Sequence, residues 1–141
     1  MLHVQSEASL GYPVENYRSF PINSPFGHRW GRFHYGIDLG VPIGTPLLAM
    51  DNGIVTGTGY QGDGYGNWIT YKIPNGLNIL YAHLYEPSHL HIGDTVAKGQ
   101  TIGLSGNSGQ TTGPHLHFEI RKGNNSEWDQ NQPINPEQLF Q

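Results

Sequence analysis

From Ser24 onward the chain is cut into pieces too short for long helices. "GIDLGVPIGTPLLAM", "GIVTGTG", "NWITYKI", "LNILYAHL", "TIGLSG" and "HLHFEI" are apolar or alternating runs, separated by Gly, Pro, Asn and Asp. Runs of this kind bounded by turn residues read as strands, and strands at this spacing suggest a sandwich or barrel. The 20 Gly and 10 Pro, with 13% charged residues, leave little material for amphipathic helices. The expectation is an all-β, β-rich fold. At 141 residues it is most simply one domain, long enough to bury a core.

The clearest hairpin joins "WITYKI" to "LNILYAHL" through Pro74-Asn75-Gly76, where Asn and Gly supply the positive φ of a tight turn. Strict alternation on the second strand places Leu77, Ile79, Tyr81 and His83 on one face. "INPEQLF" reads as a short C-terminal helical turn, with Asn135 as cap and Pro136 at the first helical position. Met1 to Tyr17 shows neither alternation nor helical period. This gives an extended N-terminal lead-in over residues 1–19, followed by one domain over 20–141.

Several function classes are excluded. The net charge is -4 and the seven Lys and Arg are scattered, which argues against nucleic acid or an anionic membrane as partner. Without cysteine there are no disulfides, no thiolate zinc site and no cysteine nucleophile. "MLHVQSEASL" has no basic and then apolar stretch, and no apolar run approaches the roughly 20 residues that span a bilayer. The expectation is no export signal and no membrane insertion, so action outside a cell implies an excised domain, a processed form or delivery by phage. "GTGYQG" formally matches a dinucleotide fingerprint, but "DGYGNWITY" follows it and offers no helix N-terminus for a pyrophosphate. A serine nucleophile elbow and the HExxH zinc helix are both absent.

Eight histidines are the compositional oddity. In "RFHYGIDLG", His34 and Asp38 stand four apart, an even separation that puts both on one face of an extended segment. Imidazole and carboxylate are ordinary zinc ligands. In "GPHLHFEI", His115, His117 and Glu119 alternate with Leu116, Phe118 and Ile120, so three polar side chains face one way and three apolar ones face the core. Two protonated histidines on one face repel, and the arrangement asks for a cation or a substrate. Catalytic zinc takes three protein ligands and keeps a fourth position for water. His34, Asp38 and one histidine of the pair supply that count, and the other histidine and His83 remain to move protons near pH 7.

Taken together, "SPFGHRW", "HYGIDLGVPIGTPLLAMDNGIV", "GYGNWITYK", "LYAHL", "GDTVAKGQTIGLSGNSGQTTGPHLHFEIR" and "INP" resemble the lysostaphin/LytM-type zinc metallopeptidases, over most of the chain and in the family's order. The resemblance implies a small antiparallel sheet with a groove walled by loops, and a zinc-dependent metalloendopeptidase that hydrolyses peptide bonds of bacterial peptidoglycan, in cross-bridge or stem peptide, with zinc-activated water. It implies one Zn2+ per chain held by His34, Asp38 and His117, with His83 and His115 as the catalytic histidines. Peptidoglycan peptides are the implied partners of a monomer. The place of action it implies is extracellular, in the cell wall or periplasmic. Loops at 60–65 and 105–112 would flank the groove, and Tyr35, Trp68 and Tyr71 are candidates to line it. Arg29 is a substrate-side or structural candidate, and Glu119 either supports a ligand or faces solvent.

Two other readings compete. "GDTVAKGQTIGLSG" also resembles the glycine-punctuated strands of biotinyl and lipoyl carriers, which suggests a non-catalytic regulatory or binding module, although Lys98 lacks the hairpin-tip setting that modification needs. Alternatively the lead-in occupies the groove and Asn23 reaches the metal, against the plainer reading of Asn23 as a turn residue before Ser-Pro. The second His-Leu-His, at His89 to His91, runs into Gly93-Asp94 and reads as an exposed connector.

Overall fold

The computed structural model describes residues 10–140. Its strands are β1 (Ile22–Ser24), β2 (Gly27–Arg29), β3 (Arg32–His34), β4 (Ile37–Leu39), β5 (Pro46–Leu48), β6 (Gly53–Gln61), β7 (Gly66–Ile73), β8 (Leu77–Leu84), β9 (Thr95–Val96), β10 (Thr101–Leu104), β11 (Leu116–Lys122) and β12 (Gln132–Ile134). The main sheet runs β1-β4-β11-β8-β7-β6-β9, with β12 also on β11, while β5–β10 and β2–β3 form separate pairs. Every pairing is antiparallel. The expected β-rich fold is therefore what forms, and helical structure among the described residues is confined to short 3-10 turns.

Turn chemistry sets two of the connections as read. Pro74–Gly76 is a 3-10 turn in which Asn75 (φ 70°) and Gly76 (φ 73°) take left-handed conformations. At the C-terminus Pro136–Gln138 forms the anticipated turn, and the Asn135 side chain accepts from Glu137 N at 3.0 Å.

Alternation along β11 divides the molecule. Leu116, Phe118 and Ile120 are fully buried in a core shared with Ile37, Leu39, Ile69, Ile79 and Tyr81. His117, Glu119 and Arg121 point the other way and are buried too, so both faces of this strand are covered. On the core side Tyr71 donates to Tyr81 Oη (2.8 Å) and Tyr81 donates to Leu48 O (2.6 Å), which ties the main sheet to β5. Tyr71 is thus a core residue and not a lining of the groove. Its ring is an ordinary aromatic in a strand, for which core is the default.

The described part of the lead-in joins this core. Val14 and Tyr17 are buried, Gly11 N donates to Met50 O (2.9 Å) and Leu48 N donates to Pro13 O (2.8 Å). Tyr17 stacks on Tyr12, meets Phe118 edge-on and donates to Glu137 at 2.6 Å. Contacts through scattered aromatics have no period, which is why the segment carries no pattern. Because Phe118 faces away from His117, residues 10–19 lie behind the sheet and not in the groove. Asn23 sits in β1, exposed, in a strand and not a turn. Residues 1–9 are outside the described residues.

Candidate active site

His34 closes β3 and Asp38 lies in β4, with a break at Tyr35-Gly36 between them. The glycine is required: a Cβ there would stand 2.3 Å from Phe118 O and 3.0 Å from the His117 ring. Its absence lets the β3–β4 link pass under β11 and brings Asp38 directly opposite His117 in the sheet register. His117 Nδ1 donates to Asp38 Oδ1 (2.7 Å), and His34 Nε2 stands 3.4 Å from Asp38 Oδ2. Ligand atoms of His34, Asp38 and His117 all lie within 4.8 Å of one another. Two imidazole nitrogens and a carboxylate oxygen so gathered are donors of the type zinc takes, so this set fits a metal ion.

His83 arrives by a route that alternation does not give. Ala82 and Leu80 pair with His117 and Glu119, so the odd positions of β8 face the core and His83 should follow them. Instead Asn67 pairs with Leu84 and Ile69 with Tyr81, so β8 holds one extra residue, and His83 takes φ 62° in that bulge. The left-handed residue turns the ring to the site, 4.8 Å from His115 and 6.2 Å from His117 between centroids. The expected common face of Leu77, Ile79, Tyr81 and His83 is corrected accordingly.

Three of the site histidines are held by a carbonyl acceptor on Nδ1. Nδ1 of His34 donates to Pro25 O (3.0 Å), Nδ1 of His83 to Ser108 O (2.7 Å) and Nδ1 of His115 to Gly113 O (2.8 Å). Carbonyl oxygens only accept, so Nδ1 of all three carries a proton and Nε2 is the nitrogen left towards the groove. His117 is turned round: Nε2 donates to Glu119 Oε2 (2.8 Å), which leaves Nδ1 towards Asp38. Ser108 is itself pinned, its hydroxyl donating to Leu84 O (2.6 Å) and accepting from Asn67 N (3.0 Å).

Glu119 is 1% exposed, not solvent-facing, and accepts from His117, Tyr65 (2.7 Å), Arg121 (2.9 Å) and Trp128 (3.0 Å). Burial opposes its charge, but these bonds, that from His117 foremost, hold its pKa down to about 2. Burial likewise opposes charge on Asp38, and hydrogen bonds from His117 and His34 keep it well below the usual carboxylate range. The same two carboxylates overcome burial at His117 and raise it to about 9 in the metal-free chain. At His83 burial, helped by the neighbouring imidazoles, pushes the pKa down to about 4.

The structure therefore brings together His34, Asp38, His83, His115 and His117. A recess of about 540 Å³ holds all five, and residues 63–65 and 110–112 wall it, within the two loops expected to flank the groove. Trp68 lines a different cleft on the sheet with Trp128, and Tyr35 covers the Arg121 guanidinium at 5.0 Å. Arg29 lines the recess and donates to Ser24 Oγ, which contacts the His34 ring (3.3 Å). His89 and His91 are exposed, in the β8–β9 connector, and line neither recess that holds site residues. Lys98 lies between β9 and β10, which pair with β6 and β5 and not with each other, so it is not at a hairpin tip.

Sequence reasoning missed Arg32, Arg121 and Trp128. Arg121 was within reach, since it continues the alternation of His117 and Glu119. Trp128 comes from an irregular loop with no periodic signal.

The chain belongs to peptidase family M23, whose profile matches residues 32–136. It is 40% identical over 133 residues to the DD-carboxypeptidase/endopeptidase Mpg of Neisseria meningitidis serogroup B, covering 89% of this chain and 28% of that protein. It is 41% identical over 88 residues to the peptidoglycan DD-endopeptidase ShyA of Vibrio cholerae, covering 62% of this chain and 20% of that protein. The chain thus spans less than a third of these curated relatives. Among solved structures, the catalytic domain of the prophage-encoded M23 protein EnpA from Enterococcus faecalis superposes with a TM-score of 0.76 at 33% identity, over 92% of this chain and 96% of that one. The fold, the family and the peptidase class agree.

Proposed function

We propose that this chain is a zinc-dependent metalloendopeptidase that hydrolyses peptide bonds of bacterial peptidoglycan. The observation that carries the reading is the convergence of His34, Asp38 and His117, with His83 and His115 beside them in one recess. His34 Nε2, the Asp38 carboxylate and His117 Nδ1 would hold one ion per chain. A zinc ion bound there supplies Lewis acidity, polarising the scissile carbonyl and bringing deprotonation of a water towards neutral pH. His83 and His115 act through Nε2, because Nδ1 of each is committed to a carbonyl. Between them they take the proton from the attacking water, donate to the carbonyl oxygen as it gains charge, and return a proton to the leaving amine.

Glu119 would keep the His117 proton on Nε2, so that Nδ1, which donates to Asp38 in the metal-free chain, is the nitrogen to be freed for a metal, and Tyr65, Trp128 and Arg121 hold Glu119. Peptidoglycan as substrate is supported by the peptidoglycan endopeptidase among the relatives. All five residues lie on one chain, so a monomer suffices. The site of action is the cell wall, reached from outside the cell or from the periplasm; among the described residues no helix is long and apolar enough to cross a membrane.

The test is digestion of purified peptidoglycan, with mass spectrometry of the released fragments, before chelation, after chelation and after zinc is restored. Peptide-bond products that vanish and return are expected. Undiminished cleavage by a metal-free chain would sink the reading.

A further inference from the structure

The β2–β3 hairpin sets two like charges against each other. Arg29 pairs directly with Arg32. Opposed residues of an antiparallel pair hold their Cβ atoms about 5 Å apart on one face, where like charges destabilise. The link between them is a two-residue turn, Trp30 (φ 46°) and Gly31 (φ 76°), both left-handed. This is the tight hairpin geometry that fixes register, so the arginines cannot slip past each other.

Neither arginine meets a carboxylate among the described residues. Arg29 donates to Ser24 Oγ, and among the described residues Arg32 has no hydrogen-bond or ion-pair partner. The contrast is with Arg18, paired to Glu137 at 2.7 Å, and Arg121, paired to Glu119 at 2.9 Å. With 11 Asp and Glu against seven Lys and Arg, acidic partners are not scarce in this chain.

The pair stands at the candidate catalytic centre. Alternation puts Arg32 on the face of His34, two residues on. Both arginines line the recess of about 540 Å³ that holds the five site residues, and an adjoining one of about 470 Å³ that includes Asp38, His115 and Trp30. Asp63 is on the wall of the larger recess. Two guanidiniums facing a shared space, neither in an ion pair among the described residues, present the forked donors that bind a carboxylate.

We propose that Arg29 and Arg32 form a carboxylate-binding subsite beside the catalytic centre, so that the substrate is an anionic peptide with a free carboxylate near the scissile bond. This rests on the hydrolase reading above and narrows it: stem peptides, which carry free carboxylates, are substrates in preference to a neutral glycine cross-bridge. The carboxylate is either the chain terminus or a branch carboxyl of the peptide. Arg32 is the cleaner probe, because Arg29 also touches Ser24 and through it His34.

The experiment uses the zinc-loaded wild-type chain and Arg32→Gln, with synthetic stem peptides in four forms: both carboxylates free, either one amidated, and both amidated. Calorimetric binding and kcat/KM are measured for each form, at low and high salt, with zinc content as the check on folding. For the wild type, amidating the recognised carboxylate is expected to weaken binding about tenfold, the scale of one charge-assisted hydrogen bond. The singly amidated form that suffers the loss identifies which carboxylate is bound. Salt should weaken the free form and spare the doubly amidated one. In Arg32→Gln with full zinc the four forms should converge. Equal binding of free and doubly amidated peptides by the wild type overturns the proposal, as does no binding of the free form, or a full preference surviving in Arg32→Gln. If the wild type binds with the preference but cleaves nothing, the hydrolase reading falls and the carboxylate site stands.

Discussion

His-Leu-His at 89 to 91 lies in the connector between β8 and β9 with both imidazoles exposed, whereas the same tripeptide at 115 to 117 leads into β11 with His117 buried between two carboxylates. The His91 ring stands 3.8 Å from Asp94, three residues on in the same turn. His117 has Asp38 opposite it in the sheet, Glu119 two residues on, and the rings of His34 and His83 beside it. Leu90 packs on the rim of the core, while Leu116 is fully buried in it. Identical composition yields different chemistry because the register of β4 and the bulge of β8 bring distant partners to one copy, while the other has a local turn neighbour in Asp94.

The largest effect should come from removing what holds the buried copy. Glu119→Ala leaves the Arg121 guanidinium buried without its carboxylate, and about 3–5 kcal/mol should be lost in denaturant unfolding. Glu119→Gln keeps the shape and should weaken zinc affinity about 10- to 100-fold in a chelator competition. Full zinc affinity in that variant would break the claim that Glu119 orients His117. The central leucines come next. Leu116→Ala should cost about 2–5 kcal/mol and Leu90→Ala about 1 kcal/mol, so equal melting shifts would erase the contrast.

A pH effect follows. In the metal-free chain His83 is held down to about 4 from an ordinary 6.5, so its contribution to stability is full above 6.5 and fades as pH falls through about 4. His117 is raised to about 9, so its contribution is full below 6.5 and fades as pH climbs through about 9. Thermal unfolding of the chelated chain should therefore peak near pH 6.5, and a monotonic profile from pH 4 to 9 would contradict the geometry. The smallest effect is expected at His91→Ala, within about 0.5 kcal/mol of wild type and with unchanged zinc content.

Much of this was legible in the sequence where a local rule governs. Alternation in "HLHFEI" divided β11 into core and site faces, and Asn75-Gly76 and Asn135-Pro136 marked their turns. What escaped reading depends on partners distant in sequence. Nothing local says that β8 bulges at His83, since a left-handed histidine is held there by Tyr65 O and Ser108 O from other loops. Glu119 is buried only because Tyr65 and Trp128 close over it. Tyr17 has no pattern because its partners, Phe118 and Glu137, are at the far end of the chain. The opposed arginines at 29 and 32 become visible only when the turn at Trp30-Gly31 sets the register.

The central claim is that the buried His-Leu-His divides its labour, with His117 as ligand and His115 as proton handler. Zinc content and peptidoglycan hydrolysis of His115→Ala and His117→Ala, measured side by side, test it most directly. The account predicts one zinc per chain with hydrolysis collapsed in His115→Ala, and loss of both in His117→Ala. Zinc lost from His115→Ala, or retained at full affinity by His117→Ala, would contradict it.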